Sequence, residues 1–197
     1  MKIKWSNIFK VFLSAVFAGI SISIGVMVYC NYTDKIVGAV LFSLGLISVF
    51  LFNFNLYTGK VGYVTKKSIF YILIILIGNS VGSFISLIIP YNKAVDIVNA
   101  KLQIPLFDVF VRAIICGIII FLCVEAYKQF KLWYALIGVP VFILGGAEHS
   151  IADIGFMIAA REFSWYALLF ILIVILGNAV GSILSYRTLL YINKNIA

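Results

Sequence analysis

Gly145-Gly146-Ala147-Glu148-His149-Ser150-Ile151-Ala152-Asp153 interrupts an apolar run that starts near Leu132 and resumes at Ile154. The stretch holds the chain's one histidine, set between two carboxylates. Ionisable groups at membrane depth cost about 2.5–3.5 kcal/mol each on insertion scales, so they face a protein interior or a pathway. The paired glycines before them let the backbone leave the helix. A helix broken at that depth survives only where its freed backbone groups are buried in protein or line a cavity. The stretch reads as the polar centre of a conduit.

The surrounding composition agrees. Of 197 residues, 64% are hydrophobic and 11% charged, more apolar surface than a soluble chain of this length can cover. The net charge of +8 does not point to nucleic acid, because the basic residues stand singly or in pairs between apolar runs. Cys30, Cys116 and Cys123 lie in or beside apolar segments without metal-ligand spacing and are read as packing residues; no cofactor is expected. Lys2 and Lys4 precede an apolar run from Ile8 to Tyr29 that is too long for a signal-peptide core, so it is read as a retained first helix.

A membrane crossing takes about 20 apolar residues. That measure predicts an all-α membrane protein of six transmembrane helices: 8–30, 36–56, 67–90, 106–127, 132–160 with its break, and 164–192. The segment 91–105 is read as a loop dividing one transmembrane domain, 1–197, into halves of approximately 8–90 and 106–192. Lys2, Lys4, Lys10, Lys60, Lys66, Lys67, Lys128, Lys131, Arg187 and Lys194 fall on one side; Lys35, Lys93, Lys101 and Arg161 fall on the other. This asymmetry places both termini in the cytoplasm, as for an inner (cytoplasmic) membrane protein. Asp108 and Arg112, four residues apart, read as an exposed helix pair.

The halves echo each other. Gly78-Asn79-Ser80-Val81-Gly82-Ser83 in the third span returns as Gly177-Asn178-Ala179-Val180-Gly181-Ser182 in the sixth. Small residues four apart let helices approach closely. Recurrence at the third span of each half means repeats of three spans, and an odd number inverts one repeat against the other. The second span should then break as the fifth does, and Asn53-Phe54-Asn55-Leu56-Tyr57-Thr58-Gly59-Lys60 supplies turn formers and a hydroxyl there.

Taken together these motifs resemble the formate/nitrite transporter family of monovalent-anion channels. Leu56-Tyr57-Thr58-Gly59-Lys60 is similar to the family's loop in span two. Gly146-Ala147-Glu148-His149-Ser150-Ile151-Ala152-Asp153 is similar to its Gly-Phe-Glu-His-Ser-x-Ala-Asn in span five, and Phe42-Ser43-Leu44-Gly45-Leu46 to its Phe-Ser-x-Gly-Leu. The resemblance implies an aquaporin-like inverted repeat of 3+3 spans with broken second and fifth helices, and a homopentamer in the lipid bilayer with one pore per protomer. It implies constrictions of Phe42 and Phe142 on the outer side and Leu46, Leu56 and Tyr57 on the cytoplasmic side. Thr58 and His149 would be the polar groups between them, with Asn178 near the histidine. Where the family carries asparagine four residues after the histidine, this chain has Asp153, and Lys60 replaces another asparagine.

The function expected is passage of a small monovalent anion such as formate, nitrite or hydrosulfide, with proton coupling at the central histidine. The conjugate bases of weak acids cross apolar rings cheaply once protonated, and half-helix N-termini after Thr58 and Ser150 would point unpaired N–H groups at the midplane. Glu148 is read mainly as a brace for the break. One turn separates His149 from Asp153, so two states are expected: an ionised Asp153 paired with a protonated ring, or a protonated Asp153 that hydrogen-bonds as the family's asparagine would. The rival readings are a channel for water or a neutral weak acid on the same fold and, in another class, a membrane-embedded enzyme using Glu148, His149 and Asp153. No second histidine or nucleophile motif accompanies those three, so the enzyme reading is set aside.

Overall fold

The computed structural model describes residues 5–130 and 133–194; Lys2, Lys4 and Lys131, used above for orientation, lie outside the described residues. Among the described residues nine α-helices follow in order: α1 Trp5–Asn31, α2 Lys35–Leu51, α3 Tyr57–Lys60, α4 Ile69–Ser86, α5 Asn92–Leu102, α6 Leu106–Phe130, α7 Trp133–Leu144, α8 Ser150–Ala160 and α9 Trp165–Lys194. A 3-10 turn, Val61–Tyr63, follows α3. Four of these helices contain runs long and apolar enough to cross a membrane: Asn7–Asn31, Ile69–Ser86, Leu106–Gln129 and Trp165–Asn193. The shorter α2 and α8 are apolar as well. Large apolar side chains stand exposed along the outward faces, among them Phe9, Phe52, Ile77, Leu122 and Leu176, as expected where lipid replaces water.

Helix α1 packs on α4, and α6 packs on α9, through the repeated glycine motifs. A Cβ at Gly82 would lie 2.1 Å from Val16 O, and one at Gly181 would lie 2.1 Å from Ile114 O. Each glycine therefore marks a place where one helix backbone rests on another. Small residues are what permit that approach.

Both breaks are built the same way. Helix α2 ends with Asn53 in the left-handed region at φ 51°, and α7 ends with Gly146 at φ 68°. The N–H of Asn53 donates to Phe50 O (3.3 Å) and that of Phe54 to Val49 O (2.9 Å). The N–H of Gly146 donates to Ile143 O (3.2 Å) and that of Ala147 to Phe142 O (2.9 Å). These paired reverse bonds are a Schellman ending, which satisfies carbonyls a stopped helix would orphan. The chain restarts as helix at Tyr57 and at Ser150, four residues after each left-handed residue.

Three expectations need correction. The segment 91–105 is not simply a loop: Asn92–Leu102 forms α5, which packs on α8 through Ala94 and Val98. The guanidinium of Arg112 approaches Gly146 O (3.4 Å) rather than pairing with Asp108. The second span stops at Leu51, and its half-helix is the four-residue α3, too short to carry much dipole.

Candidate functional site: a buried histidine–threonine pair between two broken helices

Two asparagines set the restarts. Asn79 Oδ1 accepts from the Tyr57 N–H (2.8 Å), while its Nδ2 donates to Ala15 O (2.7 Å) and Asn55 O (2.9 Å). Asn178 Oδ1 accepts from the Ser150 N–H (2.9 Å), while its Nδ2 donates to Ala113 O and Glu148 O (both 2.8 Å). Each amide caps the first N–H of a new helix and ties the loop before it to a neighbouring helix. All but the Asn55 carbonyl are fully buried backbone groups, and a buried backbone group has to be paired. Asn178 thus lies beside the histidine segment with its polar atoms already engaged.

At the centre His149 Nε2 lies 3.0 Å from Thr58 Oγ1, with both residues buried. The Ala152 N–H donates to His149 Nδ1 (3.1 Å), so the imidazole is itself the N-cap of α8. A nitrogen that accepts a hydrogen bond carries no proton. The ring is therefore neutral, its one N–H is on Nε2, and it donates to Thr58. The threonine hydroxyl keeps its own hydrogen for another acceptor. The first N–H groups of these half-helices, expected to be free for an anion, are largely taken: Tyr57 by Asn79, Ser150 by Asn178 and Ala152 by the ring.

Apolar side chains close on the pair. Phe142 stacks on the His149 ring, with centroids 5.5 Å apart and planes 24° apart, and Phe42 meets Phe142 edge-on at 6.2 Å. Leu46, Leu56 and Tyr57 are buried in the same core, and Tyr57 spends its hydroxyl on Ile175 O (3.1 Å). Two cavities with no lining residue in common reach this core. One of about 80 Å³ is walled by Phe42, Phe142, His149, Lys101 and Asp153. The other, about 410 Å³, is walled by Leu56, Phe54, Tyr127, Lys60 and Lys128.

The carboxylates do not pair with the histidine. Both turn to Lys101 on α5: Glu148 Oε2 contacts its Nζ, and Asp153 Oδ1 lies 3.0 Å from it. Burial alone would lower the lysine's pKa, but Asp153 and Glu148 outweigh it and hold the ammonium above the ordinary lysine range. The expected His149–Asp153 ion pair is thus replaced by a Glu148–Lys101–Asp153 cluster. Lys101 was missed because it sits 47 residues from Glu148 in a segment read as a loop. Ser150 Oγ and Asp153 Oδ2 are buried without a hydrogen-bond partner among the described residues. No group of three or more histidine, cysteine, aspartate or glutamate side chains among the described residues is arranged to hold a metal ion.

Helices of membrane-crossing length, two matched breaks and a buried polar pair are the features of a multi-pass membrane protein. The profile of the formate/nitrite transporter family matches residues 1–192, and the chain belongs to that family. Its fold is similar to a solved structure described as a pentameric formate channel with formate bound (TM-score 0.84, 21% identity, 98% of this chain and 99% of that one). It is also similar to one described as an FNT family ion channel (TM-score 0.81, 19% identity, 94% of this chain and 91% of that one). No curated protein matches the sequence.

Proposed function

We propose that this protein is a channel for small monovalent anions such as formate, nitrite or hydrosulfide, and not an enzyme. The observation that carries the reading is the Thr58–His149 contact, in which a neutral imidazole offers hydrogen bonding at the meeting point of two apolar constrictions. The path runs from the cavity beside Lys101, past Phe42 and Phe142, to Thr58 and His149. It continues past Leu46, Leu56 and Tyr57 to the cavity beside Lys60 and Lys128. Asn178 and Glu148 brace the break, and Asp153 belongs to the wall of the outer cavity. A bare anion in such constrictions pays a heavy desolvation cost, which protonation to the neutral acid removes.

The architecture proposed is one transmembrane domain, 1–197, with six crossings in two inverted repeats of about 8–90 and 106–192. The matched Schellman endings and asparagine braces support the repeat. The likeness to a pentameric formate channel supports a homopentamer in the lipid bilayer. The charge asymmetry supports an inner-membrane location with cytoplasmic termini. The surplus of carboxylate at the outer cavity favours a second form of the reading, in which the species that crosses is the neutral weak acid.

The test is flux into liposomes with formate, nitrite, hydrosulfide, chloride and water as separate probes. Flux of the weak-acid anions above that of chloride and of protein-free liposomes supports the reading. Water flux alone would overturn it.

A further inference from the structure

We propose that Asp153 carries an exchangeable proton and is the group that protonates an anion entering the outer cavity, a role His149 cannot fill. The inference rests on the channel reading above and names the proton carrier of that same site.

The charge count comes first. Glu148 and Asp153 share one ammonium, that of Lys101, inside a site where both carboxylates are almost fully buried. Two ionised carboxylates against one cation leave an uncompensated negative charge out of water, and such a site lowers its energy by taking up a proton. Geometry then selects the atom. Asp153 Oδ1 is held by Lys101 at 3.0 Å, while Oδ2 is buried with no hydrogen-bond partner among the described residues. An unpaired buried carboxylate oxygen is costly, whereas a protonated one is a donor waiting for an acceptor. Asp153 also walls the outer cavity, whose 80 Å³ compares with liquid water's share of about 30 Å³ per molecule, so a triatomic anion fits.

His149 is excluded by its own bonds. Its Nδ1 already accepts from the Ala152 N–H, so a second ring proton would have to displace the cap of α8. Its Nε2–H is a hydrogen-bond donor and not a transferable acid, because giving it up would leave an imidazolate. The other titratable groups facing Asp153 are Lys101 on α5, Glu148 in the break, Tyr29 on α1 and Cys116 on α6. Helix α4 carries no charged side chain.

The step balances. The O–H bond at Asp153 Oδ2 breaks, an O–H or S–H bond forms on the anion, and the neutral acid moves on between Phe42 and Phe142. The carboxylate left behind is held by Lys101 until a proton from the outer water restores it. One proton therefore travels with each anion. In a chain whose residue here is asparagine, that route does not exist.

The experiment compares wild type with Asp153→Asn in liposomes, using formate and chloride, from external pH 8 to 5, after subtraction of protein-free liposomes. Thermal melting in detergent verifies that the variant folds. Wild type should show formate flux rising by up to about tenfold per pH unit, as one proton per turnover requires. An internal pH dye should record one proton per formate. In Asp153→Asn the rise should flatten, and chloride flux should show no acid stimulation in either protein. Infrared difference spectra should show a protonated-carboxyl C=O stretch in wild type that Asp153→Asn removes. Identical formate pH profiles, or no such band, overturn the proposal while leaving the channel reading intact. A wild type that moves no formate overturns both.

Discussion

Thr58 and His149, 91 residues apart, meet side chain to side chain at 3.0 Å and so join the two broken segments at one point. The contact is directional, because the Ala152 N–H fixes the tautomer and makes the ring the donor. The contact therefore presents a hydroxyl whose hydrogen is uncommitted, backed by a neutral imidazole. This is a centre suited to hydrogen-bonding an anion or its conjugate acid, and unsuited to holding a fixed positive charge.

Phe142 and the His149 ring it stacks on both wall the smaller cavity. Phe142→Ala should raise leakage of larger anions while the protein still assembles. Flux of a graded series of anion sizes in liposomes checks this, and unchanged size selectivity would make Phe142 filler.

Asn79 and Asn178 each make three hydrogen bonds to buried backbone. Replacing either with alanine should destabilise the protein by about 2–4 kcal/mol, at about 0.5–1.5 kcal/mol for each bond lost. The two losses should be similar, since the braces are equivalent. Thermal unfolding in detergent measures them; a large loss at one site alone would break the equivalence.

Gly82→Ala and Gly181→Ala place a methyl 2.1 Å from a backbone oxygen of the neighbouring helix. Overpacking of this kind costs about 1–3 kcal/mol or more, because backbone has to move. Both variants should melt earlier than wild type, and Gly59→Ala, whose Cβ would meet Val124 at an ordinary 3.5 Å, should not.

Much of this was legible in the sequence, for physical reasons. The breaks announce themselves because few residues adopt positive φ, and Asn53 and Gly146 stand where turn formers interrupt apolar runs. The glycine motifs at 78–82 and 177–181 announce close packing. The cluster at Lys101 was not legible. Helix α5 has a narrow apolar face, so its pattern reads as a polar loop, and nothing local ties Lys101 to a carboxylate on another helix. One turn between His149 and Asp153 suggested a pair, but His149 precedes the helix as its cap and turns its Nδ1 to backbone. Spacing along a helix cannot foresee that.

Orientation is checked by labelling. The native cysteines are buried, whereas Asn99 and Lys66 are exposed. A membrane-impermeant thiol reagent applied from outside should reach a cysteine placed at Asn99 and not one placed at Lys66. The reverse pattern would invert the topology.

The most direct test of the central claim is formate uptake by liposomes carrying wild type, Thr58→Val or His149→Phe at one fixed pH. If anions pass the Thr58–His149 contact, wild type should take up formate well above protein-free liposomes. Thr58→Val should lower uptake, and His149→Phe should abolish uptake or change the preference between formate and chloride. Formate uptake and selectivity unchanged in both variants, with melting temperatures showing them folded, would mean that permeation does not pass this pair.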